Sequence, residues 1–463
     1  MENSFSGKKV TVMGLGLFGG GVGVTRFLVR QGAHVTVTDL KSPSELSKSM
    51  EQVGAGLPRI KYGAAPTCFP VQYRLGEHRE ADFKDIDMLV VNPAVPKNSP
   101  FLQIARENNV PLETEMNIFF KLCPAPITGI TGSNGKSTTT ALLSNMLRST
   151  GRKTWTGGNI GYSLLEHIEE IKPNDYVVLE LSNFQLEDLS ASGGPRLSPH
   201  IGIVTNISPN HLDRHPDMQD YINAKKGIFR HQKSTDYIIL NYDDPELRNW
   251  AKECVGKVVW FSAKVETQNF ASLRNQKLPG IHNTQNILAA ATAANILGAK
   301  DTHIAEGLSS FKGLEHRLEF VSEIDGIHYY NDSKATTPEA AIAAINAFNA
   351  PIVLIAGGYD KGVSLDRFAE ECVKRIKYVI LIGKTAEKIA SLIKEKKREG
   401  WHGQTCLSVA QSLEDAVEKA RACANAGDVV LLSPACASYD MFVNYEDRGR
   451  QFKSLVARRP LPE

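Results

Sequence analysis

The sequence is poor in cysteine, in long apolar runs and in net charge, and each shortage excludes a class of protein. Seven cysteines are scattered over 463 residues without a Cys-x-x-Cys pair, which indicates reduced thiols rather than a disulfide framework or a zinc site. No apolar run is long enough to span a membrane, and the first six residues lack the basic and apolar regions of a signal peptide. A net charge of +2 gives no reason to expect nucleic-acid or membrane partners. We therefore expect a cytoplasmic protein.

Length and composition are those of a globular chain with several domains. Hydrophobic residues make up 42% and charged residues 22%, which is ordinary for such proteins. A chain this long predicts roughly two to four domains, each with its own core.

The clearest motif is residues 127–140, Ile-Thr-Gly-Ile-Thr-Gly-Ser-Asn-Gly-Lys-Ser-Thr-Thr-Thr. The pattern predicts a strand, a tight loop and a helix, whose backbone N–H groups and N-terminus would hold phosphate oxygens. Lys136 is expected to reach the β- and γ-phosphates of a nucleotide, and the Ser137 hydroxyl to bind Mg²⁺. A glycine turn without a ligand is the weaker alternative, because Gly-Lys-Ser stands at the strand-to-helix junction.

A second glycine turn lies near the N-terminus. Gly14–Gly19 follow a predicted strand, and Asp39 ends the next strand, His34–Thr38. This spacing is typical of a dinucleotide-type βαβ unit, with an acidic residue for a sugar or a base. The pattern is weakly specific, and a doubly wound domain whose glycines only permit a tight turn also fits.

Polar side chains follow the predicted strands of the central region. Glu180 stands near the end of Tyr176–Leu181, and His211 follows the next strand; strand ends are where open α/β sheets bind ligands. Ser137 and Glu180 fit one Mg²⁺ bound to phosphates, and His211 is a candidate ligand of a second metal ion. Lys225 fits beside a metal only if it is carbamylated, and the sequence alone favours a solvated helix lysine.

A third α/β pattern fills the C-terminal part of the chain. Its predicted strands are followed by polar loops and lie at Ile327–Tyr330, Ile352–Ala356, Tyr378–Ile382 and Val429–Leu432. Three successive α/β units of this kind indicate an α/β fold with sites at the ends of its strands.

Taken together, these motifs resemble the Mur ligase family over nearly the whole chain. The resemblance rests on Thr131–Thr138, Gly157–Gly161, Glu180–Leu186, His211–Asp213, Lys225, His282–Asn286, His316–Arg317, Asn331–Thr336 and Gly357–Gly362. Each run alone is weak evidence for the family, whereas the order and spacing of all the runs together are specific to it. The C-terminal runs, including Ser433–Asp440, are similar to those of the family members that add D-glutamate.

The resemblance implies three domains. They are a Rossmann-like UDP-substrate domain over 1–121, a central P-loop-type ATPase domain over 122–313 and a Rossmann-like amino-acid-binding domain over 314–463. It also implies an ATP-dependent ligase of peptidoglycan precursor synthesis, which adds D-glutamate to UDP-N-acetylmuramoyl-L-alanine through an acyl-phosphate. The implied cofactors are ATP and two Mg²⁺ ions. We expect a monomer that binds small molecules.

The resemblance further implies roles for single residues. The phosphates of ATP are held by Thr131, Gly132, Ser133, Asn134, Gly135, Lys136, Ser137 and Thr138, and the rest of ATP by Asn286, Arg317 and Asp332. The uridine pocket is lined by Leu17, Phe18 and Asp39, with Asn159 and Gln185 nearer the sugar and alanyl end. The metal ions are held by Ser137 and Glu180, and by His211 and carbamylated Lys225. The carboxylates of D-glutamate are held by Thr336, Lys361, Ser438 and Tyr445.

Three other interpretations stay open from the sequence. A nicotinamide-dependent oxidoreductase would use Gly14–Gly19 and Asp39 but leaves the loop at 131–138 unexplained. A nucleotide-binding switch without ligation chemistry requires Glu180, His211 and Lys225 to be incidental. A folylpolyglutamate synthase shares the ATP loop, and the N-terminal βαβ unit ahead of that loop argues against it.

Overall fold

The strands of the chain form successive α/β sheets. The computed structural model describes residues 5–16, 20–55, 61–62, 65–66, 71–160, 163–190, 196–208, 215–264, 280–311, 313–398 and 405–458. The chain divides into two units, Met1–Leu273 with Gln285–Ser309 and Arg274–Thr284 with Ser310–Glu463. No helix among the described residues is both long and apolar enough to span a membrane.

The first sheet surrounds the strand that leads into Gly14. Its elements are β1 (Lys9–Met13), α1 (Gly20–Arg30), β2 (His34–Asp39), α2 (Ser47–Gly54), β3 (Lys61–Tyr62), β4 (Ala65–Pro66), β5 (Val71–Leu75), β6 (Met88–Val91), α3 (Pro100–Glu107), β7 (Leu112–Glu113) and α4 (Glu115–Leu122). The parallel strand order is β5-β2-β1-β6-β7, and β3 pairs with β4 alone. β5 is an edge strand in which Val71 is the one buried residue.

The second sheet belongs to the same unit and surrounds the strand that leads into Gly132. Its elements are β8 (Ile127–Thr131), α5 (Lys136–Arg148), β9 (Thr154–Gly158), β10 (Tyr176–Glu180), α6 (Asn183–Ser190), β11 (Ile201–Val204), α7 (Met218–Lys225), β12 (Tyr237–Asn241), α8 (Pro245–Trp250), β13 (Lys257–Phe261), α9 (Ile281–Ile296) and α10 (Asp301–Ser309). The strand order is β13-β12-β11-β8-β10-β9, and every strand is parallel. The chain crosses from one side of β8 to the other between β10 and β11, and such a crossing point is where open α/β sheets bind ligands.

The third sheet belongs to the second unit. Its elements are β14 (Glu319–Ile324), β15 (Ile327–Asn331), α11 (Pro338–Ile345), β16 (Ile352–Gly357), α12 (Asp366–Arg375), β17 (Ile376–Ile382), α13 (Ala386–Arg398), β18 (Cys406–Val409), α14 (Leu413–Cys423), β19 (Val429–Leu432) and α15 (Tyr445–Ala457). The strand order is β14-β15-β19-β16-β17-β18. Among the described strands of this sheet, β14 and β15 pair antiparallel and the other neighbours pair parallel. The predicted α/β architecture is confirmed, and the domain boundaries stay predictions.

Side-chain caps fix where the helices that carry site residues begin. The Asp217 side chain accepts a hydrogen bond from Asp220 N (2.8 Å) and starts α7, the helix that ends in Lys225. Asn444 accepts from Asp447 N (2.7 Å) and starts α15 at Tyr445. Each cap satisfies a backbone donor that the first helical turn leaves open, so the helix start is defined to the residue.

Candidate active site

The turn from β8 into α5 is shaped by two glycines at which a larger residue would be strained; we call residues 131–138, which include the end of β8 and the start of α5, the phosphate loop. Gly132 has φ +139° and Gly135 has φ +85°, a region that side chains other than hydrogen rarely tolerate. A Cβ at Gly132 would lie 2.0 Å from Thr205 Oγ1, and one at Gly135 would lie 2.2 Å from Asn286 Oδ1. Asn286 of α9 therefore lies directly against the loop, and its role in the ATP site stays a prediction.

The end of β11 holds the phosphate loop from one side. Asn206 accepts hydrogen bonds from Ser133 N (2.8 Å, to its backbone oxygen) and from Asn134 N (2.9 Å, to Oδ1). Thr205 Oγ1 donates to Asn134 O at 2.5 Å. Sequence reasoning assigned no role to Thr205 or Asn206. Their signal is their position directly after a strand of four buried residues.

Lys136 is the first residue of α5, and its ammonium group lies over the loop. Its Nζ donates to Gly132 O and to Ser133 O, each at 2.9 Å. These are backbone acceptors at the mouth of the helix N-terminus, where an anion is stabilised by the helix dipole. The head group is therefore already at the position from which a bound phosphate would be reached.

Lys225 is buried, so its interpretation as a solvated helix lysine is wrong. Only 1% of the residue is exposed, and its Nζ donates to Gly132 O (2.9 Å) and to Thr131 Oγ1 (3.4 Å). Burial, with a smaller contribution from the charge of Lys136, lowers the pKa of Lys225 well below its usual value, and Glu180 opposes the shift. A neutral amine is the form that reacts with carbon dioxide, so the environment fits carbamylation.

Glu180 presents a carboxylate oxygen without a partner. It ends β10 beside Ile130 of β8, and its Oε1 accepts from Asn159 Nδ2 at 2.9 Å. Its Oε2 is buried and has no hydrogen bond to any described residue, an arrangement that costs free energy unless a cation is bound. The donor set therefore fits Mg²⁺, which takes few protein ligands and completes its shell with phosphate and water.

Tyr221 is a functional candidate that sequence reasoning missed. Its hydroxyl lies 3.0 Å from Ser133 Oγ, and Lys225 Nζ lies 4.8 Å from the centre of its ring. Burial raises the pKa of Tyr221 to about 12, so the hydroxyl stays protonated and can donate to the loop. The available signal was its spacing, because Tyr221 precedes Lys225 by one helical turn and shares its face.

The residues predicted for the UDP-linked substrate are brought together in part. Asn159 and Gln185 both line a cavity of about 380 Å³ that also contacts Gly14, Asn92 and Glu115. Asp39 lies outside that lining and accepts hydrogen bonds from Gly16 N (3.2 Å) and Lys41 N (2.9 Å). Leu17, Phe18 and His211 lie outside the residues that the structure describes.

In the second unit, Asp332 is buried beside Arg317. Its oxygens accept from Leu318 N (3.1 Å) and from Ser433 Oγ (2.8 Å). Burial raises the pKa of Asp332 to about 7, against the opposing effects of these two hydrogen bonds and of Arg317. Asp332 and Arg317, which the sequence predicted to bind ATP, therefore lie together in this unit.

The loops after β15, β16 and β19 meet at one edge of the third sheet. These loops and the start of α15 carry the predicted D-glutamate residues Thr336, Lys361, Ser438 and Tyr445, which we call the amino-acid edge. Tyr359 N donates to Ala437 O at 2.9 Å, which joins the Lys361 loop to the Ser438 loop. Ser333 Oγ donates to Tyr445 O at 2.8 Å, which joins the Thr336 loop to α15. Ser438 is buried, whereas Lys361 is exposed.

Comparison with known proteins gives one consistent result. Three family models match in order: the Mur ligase MurD-like N-terminal domain over 8–113, the Mur ligase middle domain over 130–294 and the Mur ligase glutamate ligase domain over 316–436. A Roseiflexus protein named UDP-N-acetylmuramoylalanine–D-glutamate ligase is 43% identical over 97% of this chain and 98% of its own length. A protein of the same name from Caldanaerobacter subterraneus is 41% identical over the same two shares. The crystal structure of UDP-N-acetylmuramate–alanine ligase from Thermotoga maritima matches with a TM-score of 0.60 at 20% identity, over 96% of this chain and 98% of that one.

Proposed function

The chain belongs to the Mur ligase family, and we propose that it is the ATP-dependent ligase that joins UDP-N-acetylmuramoyl-L-alanine to D-glutamate. The observation that carries the proposal is the phosphate loop, where Lys136 and Lys225 both donate to Gly132 O. This geometry supports phosphoryl transfer to a carboxylate. The two relatives reported above are named for the D-glutamate reaction, and they supply the identity of the two substrates.

The proposed reaction has two steps. An oxygen of the alanyl carboxylate attacks the γ-phosphorus of ATP in line, the bond to the bridging oxygen breaks, and ADP leaves an acyl-phosphate behind. The amino nitrogen of D-glutamate then attacks the acyl carbon, loses a proton, and phosphate leaves from the tetrahedral intermediate. Catalysis of this kind depends on positioning and on charge stabilisation. Lys136 and the N–H groups of the loop supply both to the transferred phosphoryl group.

We assign the metal ligands from the donor set. Ser137 and Glu180 would hold one Mg²⁺, and His211 with a carbamylated Lys225 would hold a second. The ions would offset the charge that ATP and the carboxylate bring together. The buried free oxygen of Glu180 supports the first assignment, and the buried amine of Lys225 supports the second.

The remaining assignments complete the proposal. Asn286, Arg317 and Asp332 bind the rest of ATP; Leu17, Phe18, Asp39, Asn159 and Gln185 bind the UDP-linked substrate; Thr336, Lys361, Ser438 and Tyr445 bind D-glutamate. An acidic amino acid requires a cation and hydroxyl donors, and the amino-acid edge offers both. We further propose a monomer that works in the cytoplasm, with domains over 1–121, 122–313 and 314–463.

The test is phosphate release from ATP and Mg²⁺ with UDP-N-acetylmuramoyl-L-alanine, adding one amino acid at a time. D-glutamate, L-glutamate, L-alanine, L-lysine and meso-diaminopimelate form the panel. We expect release that requires both the nucleotide substrate and D-glutamate. Release with another amino acid would keep the ligase chemistry and overturn the assignment of Lys361 and Ser438. Release that ignores every amino acid would contradict ligation altogether.

A further inference from the structure

One fully buried cation lies beside the amino-acid edge and takes no part in the reaction described above. Arg448 belongs to α15, one helical turn after Tyr445, and 0% of the residue is exposed. Its guanidinium group makes five hydrogen bonds, all to oxygens of the loops after β15 and β19. Each acceptor is an uncharged oxygen, so the loops themselves hold the group.

The guanidinium group joins two loops that carry predicted D-glutamate residues. On the loop after β15, Nε donates to Ser333 Oγ (2.9 Å) and Nη2 donates to Ser333 O (2.8 Å). On the loop after β19, Nη1 donates to Cys436 O (3.3 Å) and Ala437 O (3.4 Å), and Nη2 donates to Cys436 O (3.3 Å). Ser333 shortly precedes Thr336, and Ala437 directly precedes Ser438. One side chain therefore sets the distance between the two loops.

The other two segments of the amino-acid edge reach the same group. On the loop after β16, a Cβ at Gly358 would lie 3.3 Å from Arg448 Nη1, and Lys361 follows shortly on that loop. On α15, Ser333 Oγ, which accepts from Nε, donates in turn to Tyr445 O at 2.8 Å. The guanidinium group therefore lies where the four segments of the amino-acid edge meet.

The loop after β19 keeps a strained conformation beside this group. Ala435 has φ +59°, a region that residues with a Cβ rarely adopt. Such a conformation persists only where the surrounding contacts fix it. The next two carbonyl oxygens, those of Cys436 and Ala437, are the ones that Arg448 binds. A planar fork of five donors can hold both loops at once, whereas the ammonium group of a lysine is a single point of charge.

The residue predicted for ATP on the loop after β15 is fixed by other contacts. Asp332 accepts hydrogen bonds from Leu318 N and from Ser433 Oγ, and Arg448 takes part in neither. We therefore expect the loss of Arg448 to disturb the D-glutamate residues more than the ATP residue.

We propose that Arg448 is a positioning residue of the D-glutamate site, which sets the spacing of the loops that carry Thr336 and Ser438. Because the side chain is fully buried, it acts through these loops and not by contact with the amino acid. This inference rests on the proposed function for the identity of that amino acid.

The experiment measures initial rates of phosphate release while D-glutamate or ATP is varied and the other substrates are saturating. Arg448→Lys keeps the positive charge but loses the planar fork. We expect KM for D-glutamate to rise about tenfold, as for the loss of one charge-assisted hydrogen bond. We expect kcat and KM for ATP to stay within about twofold, because a residue that only stabilised the fold would lower kcat without changing one KM alone.

Arg421→Lys is the matched control, because this arginine also donates to backbone oxygens at α15. It binds Leu455 O (2.7 Å), Val456 O (2.8 Å) and Arg458 O (2.9 Å), at the opposite end of the helix from Tyr445. We expect denaturant unfolding to record a loss of stability in both variants, and KM for D-glutamate to rise in Arg448→Lys alone. An equal rise in the control would assign the effect to the whole helix and overturn the role of Arg448.

Each other outcome also overturns the inference. An unchanged KM for D-glutamate would show that the spacing of the loops does not depend on Arg448. Equal rises in KM for D-glutamate and for ATP would show general distortion, and a fall in kcat alone would show a structural role only. If Arg448→Lys does not fold, Ser333→Ala replaces it, because it removes the acceptor of Nε. We then expect KM for D-glutamate to rise about threefold, and no rise contradicts the inference.

Turnover by the unaltered chain separates the two proposals. If it does not depend on D-glutamate, the proposed function is contradicted. If it does, and KM for D-glutamate is unchanged in Arg448→Lys, the role of Arg448 alone is contradicted.

Discussion

The phosphate loop and the amino-acid edge differ in how much of their geometry the protein fixes by itself. The phosphate loop is held by side chains around it: Thr205 and Asn206 hydrogen-bond to Asn134. The ammonium groups of Lys136 and Lys225 both donate to Gly132 O. At the edge, backbone hydrogen bonds join the loops, but the cation that would bind a carboxylate is exposed. The phosphate site is therefore organised before its ligand arrives, whereas the amino-acid site depends on a side chain that must lose mobility on binding.

This difference predicts how substitutions in the two regions behave. A prearranged electrostatic site acts mainly on the rate, because its groups are in place for the transition state. An exposed contact acts mainly on binding of the ground state, which appears in KM. Losses are therefore expected to be larger in the phosphate loop than at the amino-acid edge.

The largest effect is expected for Lys136→Ala. We expect turnover to fall on the order of a thousandfold or more, because a preorganised positive group at the transferred phosphoryl is lost. The melting temperature should change little, since Lys136 Nζ donates to two backbone oxygens of its own loop, Gly132 O and Ser133 O. Phosphate release and thermal unfolding are measured on the same sample, with the exposed Lys172→Ala as control. Near-normal turnover would remove the loop from the mechanism.

A somewhat smaller effect is expected for Gly135→Ala. A Cβ there would lie 2.2 Å from Asn286 Oδ1 at φ +85°, whereas a Cβ at Gly151, with φ +80°, would meet nothing within 4 Å. The control is Gly151→Ala, and both variants carry backbone strain of about 1 kcal/mol or more. Denaturant unfolding measures this loss of stability in each. We expect only Gly135→Ala to lose kcat/KM for ATP, about a hundredfold. Equal losses in the two variants would mean that strain alone, and not contact with Asn286, limits activity.

At the amino-acid edge, Lys361→Ala is expected to raise KM for D-glutamate about tenfold. The loss of one charge-assisted hydrogen bond at an exposed site has about this value. KM for ATP should stay the same, and so should kcat at saturating D-glutamate. Lys394→Ala on α13, another exposed lysine, controls for net charge. A drop in kcat instead of a rise in KM would place Lys361 with the prearranged groups and remove the contrast between the regions.

The smallest effect concerns Asp332 and pH. Burial raises its pKa to about 7 in the folded protein, from 3.8, so the folded state binds more protons than the unfolded state between these values. Stability therefore falls as the pH rises through this window, on the order of 1 kcal/mol between pH 6 and 8. Asp332→Asn should remove this part of the pH dependence, as measured by denaturant unfolding without ATP. An unchanged pH profile would contradict the burial of a protonated carboxyl group.

Much of the phosphate loop was predictable because its chemistry is local in sequence. The strand, the glycines, Lys136 and Ser137 lie within one short stretch, and the structure places them as expected. Burial of Lys225 was not predictable, because it depends on which helix face packs beneath the loop, and that face is set by contacts with Thr131 and Gly132 far away in the chain.

The most direct test of the acyl-phosphate mechanism follows one oxygen atom. UDP-N-acetylmuramoyl-L-alanine is prepared with heavy oxygen in its alanyl carboxylate, and the phosphate released with ATP and D-glutamate is examined by mass spectrometry. The mechanism predicts that each released phosphate carries one heavy oxygen, because the carboxylate oxygen becomes the bridge of the acyl-phosphate and leaves with phosphorus. Unlabelled phosphate would show that water attacks ATP instead, and would contradict ligation through the phosphate loop.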